Sequence, residues 1–377
     1  MPHSSMLNPL FIQHDASMRL NAFATSMLRM TLLIALTNAV FPALATWYPA
    51  DIISDGQKST YTPLTQASKA WRICALLPHG KDQYWWGVAF GLSQEARRQG
   101  VTLGIYDAGG YDKIEQQKQQ LRDCYALKAQ AYIIAANTAD GLVTDIEQLI
   151  AAGIPVIDLV NGIATDKLTS RSLVSFEDMS TAATDYIAAQ QLTSIDKGSP
   201  KLKVAWFPGP KDASWVIAAE QGFRQAAAKH EFEIIEGGYG ATELFIQADL
   251  VRKTLTKQSI DYVVANAVAA TFAVRLLDRQ SEQAGRVIAF YSNAQTIELV
   301  QKKQLLATVS DFPVLQARIA IDLAVRALEG APYPRRVSPM IKVISQDNVN
   351  QIDLEQILAP ENQWMIHQDL PTLSETR

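Results

Sequence analysis

Between residues 72 and 345, short apolar runs alternate with longer segments in which apolar positions recur every three or four residues. Gly, Pro, Asp and Asn mark the changes between them. Arg72 to Leu77 is a buried-strand run by its length and composition. Val88, Leu92 and Ala96 then repeat every four residues opposite Gln94, Arg97 and Arg98, which predicts a helix closed by Gly100. A strand over Val101 to Tyr106 follows. Asp112, with Glu115 three residues on, predicts a capped helix with Ile114, Leu121 and Tyr125 on its apolar face. Tyr132 to Ala136 predicts a strand, Asp140 to Gly153 a helix, and Pro155 to Val160 a fourth strand. Strand and helix alternating at short loop spacing predict a parallel sheet covered on both faces, with right-handed crossovers.

The rhythm lapses after Asn161-Gly162 and then returns. Helices are expected over Thr181 to Gln191, Ser214 to His230, Thr242 to Lys257, Ala269 to Arg279 and Val314 to Glu329. Strands are expected over Lys203 to Phe207, Glu233 to Glu236, Asp261 to Ala265, Val287 to Tyr291, Ala307 to Ser310 and Val337 to Ile344. The fold class is therefore α/β, as two similar doubly wound parallel-sheet lobes.

The ends read differently. Arg29, the apolar run Met30 to Val40 and the Ala43-Leu44-Ala45 end form a secretory signal peptide over residues 1–45, too short to span a membrane as a helix. Met18 is the expected natural start, with Arg19 and Arg29 as the charged region. Residues 46–70 lack a period and contain Pro49, Asp55-Gly56 and Pro63, which predicts an extended arm or linker. Residues 346–377, with Pro360 and Pro371, predict irregular surface chain.

Composition narrows the function classes. The 377 residues are 48% hydrophobic and 19% charged, with a net charge of -4, so nothing draws the chain to nucleic acid or an anionic membrane. Cys74 falls in mid-strand and Cys124 in the last turn of a helix; an exported chain permits either a disulfide or two buried thiols there. Five scattered histidines offer no metal spacing, and no dinucleotide, P-loop or nucleophile-elbow motif occurs. No cofactor, metal or catalytic group is expected.

The candidate chemistry lies in Pro78-His79-Gly80-Lys81-Asp82-Gln83-Tyr84-Trp85-Trp86, between the first regular strand and its helix. Open α/β sheets bind ligands at such strand ends, and three consecutive aromatics cannot all face a core. Four features, in order and spacing, then make residues 70–345 resemble the type I periplasmic binding proteins of the ribose- and galactose-binding kind. They are that aromatic pair, Ala151-Ala152-Gly153-Ile154-Pro155-Val156-Ile157, Glu220-Gln221-Gly222-Phe223, and Leu305-Leu306-Ala307-Thr308-Val309 before Pro313. The resemblance implies three hinge crossings, near Phe176, Asp311 and Tyr333. One lobe would comprise residues 71–177 and 312–332, and the other 178–311 and 333–345, with ligand held between them.

The departures from that family change the expected ligand. Its sugar binders place an Asp-Arg pair where Val160 and Asn161 stand, an Arg near Ile217 beside Trp215, an Asp at or next to Tyr291, and a hinge Gln at Asp311. With those polar grips gone and aromatics near their places, a small methylated cation or zwitterion is expected: trimethylamine N-oxide, betaine or choline. The resemblance implies as ligand contacts Asp82, Tyr84, Trp85, Tyr111, Phe176, Trp215, Tyr291 and Asp311, with Trp86 replacing its neighbour if the register shifts by one, and with a bond across the crossing strands as the other role open to Asp311. The signal peptide, arm and Tyr-Trp-Trp loop are together similar to the family members that sense trimethylamine N-oxide. Those members act beside the periplasmic domain of a membrane sensor histidine kinase. The expectation is a periplasmic sensor; its rivals are a solute-binding component of a transporter and, remotely, an extracytoplasmic enzyme. Transcription repressors share the fold, but a signal peptide occupies the place of their DNA-binding unit.

Overall fold

The computed structural model describes residues 46–191, 200–277 and 286–373; the signal peptide expected over residues 1–45 and the expected helix end at Arg279 lie outside them. The chain opens with a hairpin, β1 (Ala50–Ser54) and β2 (Gln57–Tyr61), turned at Asp55-Gly56. The first lobe continues through β3 (Arg72–Leu77), α1 (Gln83–Gln99), β4 (Thr102–Asp107), α2 (Ile114–Ala126), β5 (Ala131–Ile134), α3 (Val143–Ala151), β6 (Val156–Leu159) and β7 (Ser170–Ser172). The second lobe begins with α4 (Phe176–Gln191), β8 (Lys203–Phe207), α5 (Ser214–Lys229), β9 (Glu233–Glu236) and α6 (Leu244–Leu255). It goes on through β10 (Tyr262–Ala265), α7 (Ala267–Leu277), β11 (Val287–Ala289), α8 (Ala294–Gln301) and β12 (Ala307–Ser310). The helix α9 (Pro313–Glu329) returns to the first lobe, followed by β13 (Arg336–Pro339) and β14 (Lys342–Ser345).

The first sheet is eight-stranded, in the order β2-β1-β13-β7-β6-β5-β3-β4; the second is six-stranded, in the order β14-β12-β11-β10-β8-β9. The strands from β13 to β4 in the first and from β12 to β9 in the second are parallel, while the hairpin and β14 attach antiparallel. This is the type I periplasmic binding protein fold: two doubly wound α/β lobes. Each sheet reverses its winding beside its first parallel strand, β3 or β8, and the carboxyl ends of both face the same space.

Packing explains the order. Residues of β3 are buried on both sides, as a strand inside a two-faced sheet requires. Helix α1 lies directly on α9, because a Cβ at Gly91 would collide with the Val314 carbonyl oxygen. Cys74 on β3 and Cys124 on α2 are joined, with Cα atoms 6.2 Å apart, so the alternative left open by the sequence resolves to a disulfide.

Four expectations need correction. The arm over residues 46–70 is a hairpin built into the sheet edge, held by side chains far off in sequence. Trp47 Nε1 donates to Glu95 at 2.8 Å, and the Tyr61 hydroxyl donates to Asp322 at 2.6 Å. The run Val337 to Ile344 is two strands in different sheets, so the third crossing falls at Met340-Ile341 rather than near Tyr333. Alternation within a run does not record which sheet each half joins. Asp112 does not cap α2; its carboxylate pairs with Lys113 in solvent, and Tyr125 points outward at 53% exposure. The tail after Gln346 is not loose surface chain: Val349, Ile357 and Leu370 are buried.

Candidate ligand site between the lobes

A cavity of about 270 Å³ of atom-free space, counting the solvent at its mouth, lies between the carboxyl ends of the two sheets. Its walls include Asp82, Tyr84 and Trp85 after β3, Tyr111 after β4, and Val160 and Asn161 after β6. Across the seam stand Phe176 and Trp215 at the starts of α4 and α5, Thr242 before α6 and Tyr291 after β11.

The carboxylate of Asp82 is buried and organises the seam between the lobes beside the cavity. It caps α1 by accepting from the Tyr84 amide at 3.0 Å. From the second lobe it accepts the Tyr291 hydroxyl at 2.6 Å and Asn293 Nδ2 at 3.0 Å. Asn293 is free to reach it because it also caps α8 through a reciprocal pair with Thr296. Further contacts join the lobes around the cavity: Lys81 with Glu243 at 2.7 Å, His79 with Thr242 at 3.4 Å, and the Ser214 hydroxyl with the Gly162 carbonyl at 3.1 Å.

Asp311 does not line the cavity; of the two roles open to a hinge residue, ligand contact or a bond across the crossing, it makes the bond. It is wholly buried behind Tyr84, outside the cavity wall, and accepts the Tyr84 hydroxyl and Gln316 Nε2, each at 2.7 Å. Its other oxygen has no donor among the described residues, and burial pushes its carboxyl above the usual range. The hinge residue therefore acts on the site through the tyrosine. Trp86 is turned away as well: it stacks on Trp364 at 4.0 Å.

Two tyrosine protons are thus already committed, Tyr84 to Asp311 and Tyr291 to Asp82. Burial and the neighbouring carboxylates hold both phenols well above their ordinary value, and burial likewise raises Tyr111. All three remain neutral donors. Donation to a carboxylate pushes electron density onto the phenol, which favours a cation over the ring face.

The indole N–H of Trp215, by contrast, is buried near the Tyr111 hydroxyl and reaches no acceptor at full hydrogen-bond geometry among the described residues. Its ring is fixed by Phe176 at 5.4 Å, Tyr291 at 5.7 Å and Tyr111 at 6.1 Å. Such an orphaned donor beside a cavity is where a ligand oxygen would be accepted.

Seven of the expected contacts, Asp82, Tyr84, Trp85, Tyr111, Phe176, Trp215 and Tyr291, come together on this wall. Thr242 and Asn293 were not anticipated. A threonine before a helix and an asparagine cap carry no binding signal in sequence; only their proximity to Asp82 and His79 gives them one. Val160 adopts φ 65, a strained conformation for a β-branched residue, at the place where sugar-binding relatives hold a charged pair.

Residues 73–332 match the profile of the periplasmic binding protein domain family. The chain belongs to that family. It is 31% identical over 300 residues to the periplasmic protein TorT of Escherichia coli (strain K12), covering 79% of this chain and 84% of TorT. Solved complexes of the TorS sensor domain with TorT, without ligand and with TMAO, match at TM-score 0.68 and 27% identity, covering 78% of this chain and 98% of theirs. A solved ABC transporter solute-binding protein from Bradyrhizobium sp. BTAi1 with bound bis-tris matches at TM-score 0.72 and 38% identity, covering 85% of this chain and 98% of its own. These relatives are binding proteins. Among the described residues no helix is long and apolar enough to cross a membrane.

Proposed function

We propose that the protein is a periplasmic sensor that binds trimethylamine N-oxide, or a related methylated amine, between its lobes. It would report the bound state to the periplasmic domain of a membrane sensor histidine kinase, in a two-component system controlling trimethylamine N-oxide respiration. Residues 1–45 would direct export as a signal peptide. Asp82, Tyr84, Trp85, Tyr111, Phe176, Trp215 and Tyr291 would contact ligand, and Asp311 would act through Tyr84.

One observation carries the reading: an aromatic box in which Tyr84 and Tyr291 have spent their protons on carboxylates, while the Tyr111 hydroxyl and the Trp215 indole N–H stand beside the cavity uncommitted to any carboxylate. Methyl groups on a cationic nitrogen gain about 0.5 to 2 kcal/mol against each well-placed ring. An oxide oxygen on that nitrogen matches these uncommitted donors. Relatedness to TorT, and the TorS–TorT structures with and without TMAO, support a kinase partner. Signalling then follows from population shift, limited by the difference in ligand affinity between the lobe arrangements.

The second reading is a solute-binding component of a transporter for a small amine or sugar. The Bradyrhizobium relative favours it, being an ABC transporter solute-binding protein with bound bis-tris, a tertiary amine. The two separate in membranes containing the cognate kinase. Sensor action predicts that trimethylamine N-oxide changes kinase autophosphorylation only when the purified protein is added. An unchanged response with and without the protein excludes the sensor role.

A further inference from the structure

After β14 the tail crosses from the second lobe to the outer edge of the first. Ile357 is buried in the second lobe's core, and its carbonyl oxygen comes 2.8 Å from where a Cβ on Gly87 of α1 would sit. Trp364 then stacks on Trp86 at 4.0 Å with the planes 11° apart. Gln368 pairs with Ile105 on β4 through both backbone groups at 2.8 Å, and the Leu370 amide donates to the Tyr106 hydroxyl at 2.9 Å.

The middle of this segment presses on the loop that presents Asp82. Trp86, the partner of Trp364, donates its indole N–H to the Gly80 carbonyl at 2.8 Å. Ile366 fills the space over Gly80 so closely that a Cβ there would lie 2.7 Å from its Cγ1. On its amide side Gly80 donates to Asp107 at 3.0 Å. The backbone two residues before Asp82 is therefore clamped, and two of the holding groups belong to, or are stacked on, the tail.

We propose that residues 357–370 form a strap that positions the binding loop, with Trp364 and Ile366 as positioning residues. Docked, the strap holds Gly80 so that Asp82 meets Tyr291 and Asn293; released, the loop loosens and the cavity loses affinity without losing a wall residue. The inference rests on reading this cavity as the ligand site, but the loop's rigidity can be measured without ligand.

The test uses the full mature chain with Trp364→Ala, Trp364→Phe and Ile366→Ala. Amide hydrogen exchange at residues 79–84 is expected to accelerate in both alanine variants and to stay near wild type in Trp364→Phe, while exchange around Tyr291 is unchanged. Affinity for trimethylamine N-oxide is expected to fall about five- to ten-fold in Trp364→Ala and to recover in Trp364→Phe. Wild-type exchange at residues 79–84 in both alanine variants overturns the strap, as does wild-type affinity in Trp364→Ala. If the wild-type protein binds no trimethylamine N-oxide, the ligand reading fails, and exchange alone decides for or against the strap.

Discussion

The hydroxyl of Tyr291 donates to the carboxylate of Asp82 at 2.6 Å, from one lobe to the other, in a place closed to solvent. One bond thus serves two purposes: it helps hold the lobes together and it removes the tyrosine proton from the pool of donors open to ligand. Tyr291→Phe keeps the ring and deletes the bond. Leaving Asp82 with one fewer donor costs about 1–3 kcal/mol of closure. The unliganded variant is expected to show a larger radius of gyration by X-ray scattering and a weaker ligand affinity. Unchanged scattering and affinity would place the closing energy elsewhere.

Trp215 separates oxide recognition from methyl recognition. Trp215→Phe retains an aromatic face and removes the orphaned N–H. Affinity for trimethylamine N-oxide is expected to drop about ten-fold or more, as when a charge-assisted hydrogen bond is lost, while affinity for trimethylamine stays within about two-fold. Equal losses for both ligands would assign Trp215 to packing alone.

Acid should loosen the mouth of the site. Burial lowers the basicity of His79, opposed by Asp82, while its ring lies edge-on to Tyr111 at 5.2 Å and faces Thr242 of the other lobe. A histidine whose folded pKa lies below its unfolded value contributes stability that is present above about pH 6.5 and is lost as pH falls through the folded pKa. Melting temperature is expected to decline between pH 7 and 5 more steeply in the wild type than in His79→Gln. Parallel profiles would remove His79 as the source.

The disulfide stabilises the first lobe rather than the site, since neither Cys74 nor Cys124 touches the cavity. Replacing both by Ala is expected to cost about 2–4 kcal/mol in denaturant unfolding, with ligand affinity of the folded protein retained. A large affinity loss at full folding would contradict this separation.

What the sequence conveyed follows from what is local. The runs Arg72–Leu77 and Lys203–Phe207 are strands as read, because their periodicity and bounding turns lie within the segment itself. Tyr84, Trp85, Tyr111 and Trp215 follow strand ends, and an α/β sheet brings such positions to one crevice whatever their side chains. Asp311 shows the limit. Its place on the hinge was readable, but its side chain turns behind Tyr84, a choice set by a residue far away in the chain as well as by the nearby Gln316.

The tail, the hairpin and the split of Val337–Ile344 were hidden for the same reason. Trp364 meets Trp86, Trp47 meets Glu95, and β13 joins β7, all across long stretches of chain. Nothing in the local pattern of residues 346–373 distinguishes a strap from a loose end. Asn293 is a further case: as a cap it is ordinary, and only the approach of Asp82 makes it part of the contact between the lobes.

Ligand identity is the central claim, and calorimetric titration of the mature protein, from Thr46 onward, tests it most directly. Trimethylamine N-oxide, trimethylamine, betaine and ribose would be titrated in turn, alone and with the kinase's periplasmic domain present. The account predicts saturable binding of the N-oxide, weaker binding of trimethylamine, and none of ribose. Ribose binding with no heat from the N-oxide in either setting would contradict it.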